Sequence, residues 1–462
     1  MAEQFSNMGG SSHSEPSLAR RWLTSVMMRR FSDQKRMQRM RQKCEQRRQA
    51  AGEAHKVEYF HQVEDPYSYL MAQVLPALLD RYDIELQIHL VSGPPGDNAS
   101  EPDLLLPYSQ MDCAEVAPYY GLSFPRQASA PEAGQIELAM RILAAAEGAP
   151  TPARLLSVSA ALWSSDAAEL QALAASVDLA SADTAAQRLE QGNQRRQQLG
   201  HYSGAMLFYG KEWYWGVDRL YHLENRLREL GATRAGSDTL LMPRPAIEAG
   251  GLRDDGSLTL EIFPSLRSPY SSFIFDHAMY LAEATGVRIQ LRPVLPMVMR
   301  GAAVTRLKGQ YIMFDTGREA AQLGPEWGNA WDPIGEPVRR AFALFPWAES
   351  QGKGAALLSA FMHGAFYERV KTHRLSGLRK IVTRAGLSWE EARQHLQDTD
   401  WQEPLEQNRL QLYRESIWGV PSFRLLGANG DCLLSTWGAD RLWLVARRIE
   451  EHLLQRQKRT EL

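Results

Sequence analysis

Two short stretches of the chain place a small polar or acidic residue where a helix is expected to begin. Residues 268–271 read Ser-Pro-Tyr-Ser, and residues 65–68 read Asp-Pro-Tyr-Ser. Each follows an apolar run with β-like alternation, and proline is favoured in the first turn of a helix. Unpaired backbone N–H groups and the positive end of the dipole favour an anion there, such as a thiolate. The Ser268 hydroxyl can donate a hydrogen bond to a thiolate, whereas the Asp65 carboxylate would repel it.

Other chemistries find little support in the residues. Cys44, Cys113 and Cys432 lie far apart and form no Cys-x-x-Cys pair, so neither a disulfide framework nor a dithiol centre is expected. The isolated His61 and His277 have no metal-ligand spacing, and no P-loop, His-Glu-x-x-His or Gly-x-Ser-x-Gly motif occurs. We therefore predict no metal site, no nucleotide hydrolysis and no zinc proteolysis, and a reducing, cytoplasmic compartment.

The two Pro-Tyr-Ser stretches belong to a longer internal similarity. Pro66 and Tyr108 are 42 residues apart, and so are Pro269 and Tyr311. An aspartate follows each of these tyrosines by four positions, and both regions close on Trp-Gly-x-Asp-Arg-Leu. Three motifs in one order with two equal spacings predict a tandem duplication. The predicted parts are an extension at 1–54, a first domain at 55–235, a linker at 236–255 and a second domain at 256–462.

The same elements are predicted in the same order in both domains. In the second, residues 258–263 alternate as a strand, Pro269 begins a helix, and residues 287–295 form a second strand, parallel to the first. Several helices follow, then a strand hairpin that turns at 428–431, and a last helix from Ala439. The predicted fold class is α/β, with two tandem thioredoxin-like domains, each carrying an inserted helical subdomain.

The second domain resembles a known family on its motifs. These are Ser-Pro-Tyr-Ser at 268–271, Leu-Arg-Pro at 291–293, Lys-Gly-x-Tyr-x-x-x-Asp at 308–315, Val-Pro at 420–421 and Gly-Ala-Asp-Arg at 438–441. They look like those of the DsbA-like group that contains kappa-class glutathione transferases and 2-hydroxychromene-2-carboxylate isomerases. The resemblance spans residues 256–456 and implies a glutathione-dependent isomerase or transferase.

The resemblance also implies a role for each motif. Ser268 would be the catalytic residue that orients the thiolate of glutathione. Pro421 would be a cis-proline, and Val420 would bind the cysteinyl unit through its backbone. Asp440, with Ala439 beside it, would hold the γ-glutamyl end. The other glutathione-binding residues that the motifs imply are Pro269, Tyr270 and Lys308.

The sequence departs from the family pattern at a few positions. The family's Asn-x-Pro-Pro segment is missing before Lys308, and we expect Arg267 to supply positive charge beside the serine. In the first domain Asp65 replaces the serine and Ala205 replaces the cis-proline. We therefore predict a degenerate first domain that is kept for packing, stability or substrate enclosure. The alternative is a changed chemistry in which Asp65 serves as acid, base or ligand.

The N-terminal extension is strongly basic. Residues 17–48 hold eleven Arg or Lys against Asp33 and Glu45, within a chain whose formal net charge is -2. One interpretation is an amphipathic arm that meets an anionic surface or a partner, and the other is a helix partly packed on the body. No apolar run reaches the ~18 residues of a transmembrane helix.

The sequence leads to one main function and two alternatives. We expect an enzyme that adds the glutathione thiolate to a small electrophilic substrate, aromatic or unsaturated, with no nucleic-acid partner. The oligomeric state is left open: the protein could form a homodimer, or its two tandem domains could pair with each other as two subunits would. The alternatives are a non-catalytic tandem thioredoxin-fold binding or scaffold protein, and a protein like the thiol-disulfide oxidoreductases that lacks their Cys-x-x-Cys.

Overall fold

The protein divides into two compact units. The computed structural model describes residues 15–145, 150–164, 167–234, 239–302, 304–324 and 327–460. Residues 1–14 of the predicted extension, 236–238 of the predicted linker and 461–462 of the predicted second domain lie outside these ranges. The N-terminal unit is Met37–Pro245, and the C-terminal unit combines residues 15–36 with residues 246–460.

The first two helices of the described residues are α1 (Leu18–Ser32) and α2 (Gln34–Ala51). Helix α1 belongs to the C-terminal unit and buries one face within it. The buried side chains of this face, spaced three or four positions apart, are Arg21, Ser25, Met28 and Ser32. Other side chains of the helix, including Leu18, Trp22 and Leu23, are exposed. The described part of the basic extension is thus partly packed on the body.

The N-terminal unit contains a four-stranded sheet. Its strands are β1 (Lys56–His61), β2 (Glu85–Leu90), β3 (Met206–Tyr209) and β4 (Glu212–Trp215), in the order β2-β1-β3-β4. β1 pairs with β2 in parallel and with β3 antiparallel, and β3 and β4 form a hairpin. The helices are α3 (Pro66–Arg81), α4 (Pro102–Val116), α5 (Ala133–Leu143), α6 (Pro152–Trp163), α7 (Ala167–Ala175), α8 (Ala182–Gln198) and α9 (Gly216–Glu229).

The C-terminal unit contains a sheet of the same order, β6-β5-β7-β8. Its strands are β5 (Thr259–Phe263), β6 (Arg288–Leu291), β7 (Ser422–Leu426) and β8 (Cys432–Trp437). Its helices after α1 are α10 (Pro269–Thr285), α11 (Arg306–Leu323), α12 (Glu336–Ala343), α13 (Phe345–Ser350), α14 (Gly354–Phe366), α15 (Leu375–Arg384), α16 (Trp389–Ala392), α17 (Gln402–Arg414) and α18 (Leu442–Thr460).

Each sheet is built around a buried first strand that leads into a helix. Both strands carry a buried glutamate, Glu58 or Glu261, that is bonded to a basic side chain 31 positions later, His89 or Arg292. A buried carboxylate needs such a partner, because desolvation is costly for an unpaired charge. The two units thus have similar sheets that combine parallel and antiparallel strands. The duplication itself stays a prediction.

The last helix begins later than the sequence predicts. Residues Ala439–Arg441 form a 3-10 turn, and the α-helix starts at Leu442. The kink is at Asp440, whose φ and ψ of -85° and 15° are not helical. Among the described residues, no helix combines the length and the apolar character that crossing a membrane requires.

Candidate active site

Ser268 caps the N-terminal end of α10, whose first residue is Pro269. Its Oγ accepts a hydrogen bond from the Ser271 amide at 3.1 Å, which satisfies one of the open N–H groups of the helix. The hydroxyl also donates to the backbone carbonyl of Val420, 3.2 Å away. A hydroxyl has a single proton, so this half-buried side chain can donate to a ligand only after rotating away from Val420.

The Val420–Pro421 peptide bond is cis, which confirms the predicted geometry of Pro421. The Pro421 carbonyl accepts a hydrogen bond from the Gly438 amide at 2.9 Å, so the cis-proline is tied to the end of β8. The Ser268–Val420 hydrogen bond joins positions that are 152 residues apart in sequence. It brings together the hydroxyl and the backbone that the resemblance assigns to one ligand.

Gly438 turns the chain from β8 into the last helix. Its φ of 124° lies in a region that favours glycine, and a Cβ at this position would overlap Oδ1 of Asp440. Ala439 is buried and Asp440 is half-buried in the turn that follows. The Asp440 carboxylate therefore lies over the glycine whose amide bonds Pro421.

Helix α11 carries Lys308 and is tied to α10 by Tyr270. The Tyr270 hydroxyl donates to Oδ2 of Asp315 at 2.9 Å, and Arg318 pairs with the other carboxylate oxygen at 2.8 Å. Lys308 lies in the first turn of α11, where Thr305 is the N-cap. Burial lowers the pKa of the Lys308 ammonium group, because desolvation disfavours its charged form.

The side chain of Arg267 is engaged within the protein, which corrects the expectation that it adds positive charge at the site. Its Nε and Nη2 donate to the two carboxylate oxygens of Asp332 at 2.8 and 3.2 Å. The Asp332 side chain is only 3% exposed, and a bidentate pair of this kind is strong. The carboxylate offsets the guanidinium charge. Sequence reasoning missed Asp332, since it lies 65 positions from its partner and in no motif.

Two tryptophans to which the sequence analysis assigned no role at the site pack beside the cis peptide. The rings of Trp418 and Trp437 are tilted and 4.8 Å apart. A Cβ on Gly419 would overlap the Trp437 ring, so the indole lies directly against the backbone that leads into Val420. The available signal was their position, since Trp437 precedes the Gly-Ala-Asp-Arg motif and Trp418 lies two residues before Val420.

Asp65 in the N-terminal unit binds its own helix. One carboxylate oxygen accepts hydrogen bonds from the Ser68 amide at 2.9 Å and the Ser68 hydroxyl at 2.8 Å, and the other accepts from the Tyr67 amide at 3.4 Å. Burial nevertheless raises the pKa of Asp65 to about 6, because the hydrogen bonds from Ser68 offset only part of the desolvation. Asp65 is thus an N-cap that accepts three hydrogen bonds from its own helix.

Ala205 occupies the position that Pro421 holds in the C-terminal unit. Residue 206 pairs with Phe60 of β1, as Ser422 pairs with Phe263 of β5. The peptide before Ala205 is not among the cis bonds of the described chain, which agrees with the predicted loss of the bend. Its φ is 52°, and its buried amide donates to the Ser68 hydroxyl at 3.1 Å. A proline has no N–H to be satisfied in this way.

Neighbouring side chains close the same region of the N-terminal unit. Gln62 packs so tightly against Gly204 that a Cβ there would lie 2.6 Å from the glutamine Cβ. The hydroxyl of Tyr120 donates to Asp218, the counterpart of Asp440 in the Trp-Gly-x-Asp-Arg-Leu motif, at 3.0 Å. Groups that the motif would offer to a ligand are therefore bonded within the protein.

Comparisons with known proteins give similar solved structures but no similar curated protein. A search of curated proteins gives no match. Three solved structures resemble the chain at low identity: a "probable DsbA oxidoreductase" from Streptomyces coelicolor, a 2-hydroxychromene-2-carboxylate isomerase, and the cytosolic disulfide reductase DsbM from Pseudomonas aeruginosa. The first has 20% identity and a TM-score of 0.33, covering 42% of this chain and 90% of its own. The isomerase has 17% identity and a TM-score of 0.34, and DsbM has 19% identity and a TM-score of 0.30. Each of these two similarities covers 44% of this chain and 99% of the other protein's chain.

The family model of the DSBA-like thioredoxin domain matches residues 259–450 of this chain. The matched range begins at the first residue of β5 and ends within α18, so it includes Ser268, the cis-proline and Asp440. Residues 259–450 therefore form a DsbA-like thioredoxin domain.

Proposed function

We propose that the C-terminal unit is a glutathione-dependent isomerase or transferase of small electrophilic substrates, aromatic or unsaturated. The observation that carries the proposal is the contact between the Ser268 hydroxyl and the carbonyl before the cis-proline. A hydroxyl donor, a backbone carbonyl and a helix N-terminus there suit a thiolate with a peptide backbone attached. A reducing, cytoplasmic compartment belongs to the proposal, because glutathione must be present as the thiol.

In this proposal Ser268, Val420 and Asp440 each contact a different part of glutathione. Bound glutathione would supply the nucleophilic sulfur. Ser268 would rotate from Val420 and donate a hydrogen bond to that sulfur while keeping its proton, which stabilises the thiolate at the N-terminal end of α10. The carbonyl of Val420, released by this rotation, would accept a hydrogen bond from a ligand amide. The carboxylate of Asp440 would hold the amino end of the tripeptide.

A second candidate function is a non-catalytic thioredoxin-fold binding protein. It is favoured by one observation, that the family's Asn-x-Pro-Pro segment is missing before Lys308. A thiol-disulfide oxidoreductase is less consistent with the site, because serine occupies the helix mouth and Cys432 lies on β8. A measurement of glutathione binding distinguishes the proposed enzyme from the non-catalytic binding protein.

Isothermal titration calorimetry with glutathione tests the proposal. We expect the wild type to bind and Ser268→Ala to bind roughly 10- to 100-fold more weakly, since hydrogen bonds to charged groups contribute about 1.5–3 kcal/mol. S-methylglutathione has no thiolate, so its affinity should change little in the same variant. Absence of glutathione binding by the wild type would overturn the proposal.

The matched control is Ser388→Ala. Ser388 is also an N-cap serine of the C-terminal unit, and its Oγ accepts from the Glu391 amide at 3.4 Å. Its loss should cost about 1 kcal/mol of stability, as for other N-caps, and leave the glutathione affinity unchanged. Equal weakening by both variants would show that capping alone, and not the position of the hydroxyl, determines binding.

A further inference from the structure

Helix α1 binds an extended segment of the C-terminal unit through a ladder of side chains. The segment runs from Gly328 to Ile334 and contains no helix or strand. Alternate residues of the segment meet side chains of α1: Ser32 packs against Gly328, the Ala330 carbonyl accepts from Arg29 (3.0 Å), and the Asp332 and Ile334 carbonyls both accept from Arg21 (2.8 and 2.7 Å). The Ser32 hydroxyl itself is 3.0 Å from the Met28 carbonyl of its own helix, to which it donates.

Asp332 is held at the centre of this ladder. Its amide donates to the Ser25 hydroxyl at 2.9 Å and its carbonyl accepts from Arg21. The guanidinium of Arg21 is almost completely buried and is also paired with Glu15, so its charge is balanced locally. With both backbone groups fixed, the Asp332 carboxylate is directed at Arg267.

The ladder ends beside the candidate active site. Asp332 forms the bidentate pair with Arg267, and Arg267 is the residue immediately before Ser268. Trp327, the residue just before the segment, also contacts α10, since its indole N–H donates to the Ser272 hydroxyl at 2.8 Å. A series of direct contacts therefore connects α1 with the N-terminal end of α10.

We propose that Asp332 is a positioning residue for Ser268, held in place by α1: it fixes Arg267 and offsets the guanidinium charge at the helix mouth. Helix α1 then contributes to the site by holding Asp332 in position. This inference deepens the proposed function and rests on it for the role of Ser268. The contacts themselves do not depend on which ligand binds.

A cysteine reporter measures the charge at this position without any ligand. In Ser268→Cys, the pH dependence of alkylation gives the thiol pKa, and peptide mass spectrometry separates this cysteine from Cys44, Cys113 and Cys432. Adding Asp332→Asn keeps the side-chain shape and leaves the Arg267 charge without its partner. We expect the thiol pKa to fall by roughly one, because an unbalanced cation nearby favours the thiolate. An unchanged or raised thiol pKa would overturn the proposal.

Asp276→Asn is the matched control for this charge change. Asp276 lies on the same helix, eight residues beyond Ser268 and paired with His363 at 2.9 Å. At 1.5 Å per residue it is about 12 Å further along α10, beyond the ~10 Å Debye length at 0.1 M salt. We expect it to leave the reporter pKa nearly unchanged. An equal fall in both variants would mean that net charge alone is responsible, and the proposal would fail.

A second pair of variants tests the contribution of α1. Ser25→Ala removes the bond to the Asp332 amide, whereas Thr24→Ala removes a neighbouring hydroxyl that bonds the Arg20 carbonyl of its own helix. We expect Ser25→Ala to lower the reporter pKa, by less than Asp332→Asn, because a less fixed carboxylate offsets Arg267 less well. Thr24→Ala should have no effect, and Ser25→Thr should restore the wild-type value. Identical results for Ser25→Ala and Thr24→Ala would contradict the role of α1.

The reporter keeps this inference separate from the proposed function. If the thiol pKa shifts as expected but the wild type binds no glutathione, the proposed function fails and the positioning role stands. If glutathione binds but neither Asp332→Asn nor Ser25→Ala moves the reporter pKa, the positioning role fails alone.

Discussion

Asp65 and Ser268 occupy the same position relative to their helices but use their side chains differently. Asp65 directs both carboxylate oxygens at the first turn of α3. Ser268 uses its oxygen for the first turn of α10 and its proton for Val420. A hydroxyl can therefore serve the helix and a second group at once, whereas an ionised carboxylate only accepts. This difference is chemical and could be read from the sequence.

The raised pKa of Asp65 predicts a pH dependence of stability. The pKa of Asp65 is about 6 in the folded state against an ordinary value of 3.8, so this group binds more protons in the folded chain between about pH 4 and pH 6. The contribution of Asp65 to stability should therefore decrease as the pH rises through this window and then level off. Asp65→Asn keeps an N-cap but cannot ionise, and it should become more stable than the wild type by roughly 1–3 kcal/mol above pH 6.

Urea unfolding of the wild type and Asp65→Asn, at several values between pH 4 and pH 8, measures this difference. Asp83→Asn is a suitable control, since Asp83 is an exposed carboxylate of the same unit. A stability difference between wild type and Asp65→Asn that does not vary with pH would contradict the raised pKa.

At the scale of elements, each unit joins the helix after its first strand to the long helix that follows its second strand by one tyrosine–aspartate hydrogen bond. Tyr67 of α3 donates to Asp112 of α4 at 2.8 Å, and Tyr270 of α10 donates to Asp315 of α11 at 2.9 Å. The sequence separation is 45 residues in both units. Equal spacings in the sequence therefore correspond to the same physical contact in the structure.

We expect Tyr67→Phe and Tyr270→Phe each to destabilise the unit that contains the substitution. The loss should be about 1–3 kcal/mol, because each variant takes a hydrogen bond from a buried carboxylate. Hydrogen exchange followed by mass spectrometry assigns the loss to a unit by its peptides. Tyr280→Phe, at an exposed tyrosine of α10, is the control and should have almost no effect. A loss spread equally over both units would contradict the local role of these bonds.

Elements were more predictable than the contacts between them. The strand predicted at residues 258–263 is present as Thr259–Phe263, and the predicted helix begins at Pro269. The cis geometry of Pro421, which the family resemblance implies, is also present. The pairing of Asp332 with Arg267, and of Asp332 with Ser25 307 positions away, has no local signal. Such contacts depend on which surfaces meet after folding, so a single sequence does not show them.

At the scale of the whole molecule, the two units have similar sheets and different helix mouths. The strand orders β2-β1-β3-β4 and β6-β5-β7-β8 correspond element by element. In the N-terminal unit, however, Ala205 bonds Ser68 and Tyr120 bonds Asp218, so these groups are engaged within the protein. We therefore expect one ligand site in the chain, in the C-terminal unit.

Hydrogen exchange with and without glutathione tests this expectation for the full chain. At about 100 times the Kd, binding stabilises the folded state by about 2.7 kcal/mol, which slows exchange through opening of the binding unit about 100-fold. Protection should be confined to peptides of the C-terminal unit, from residues 15–36 and 246–460, and Asp65→Ala should bind glutathione as the wild type does. Protection of peptides from residues 56–229, or a large loss of affinity in Asp65→Ala, would show that the N-terminal unit also contributes to the site, because neither effect can arise from a ligand held only at Ser268.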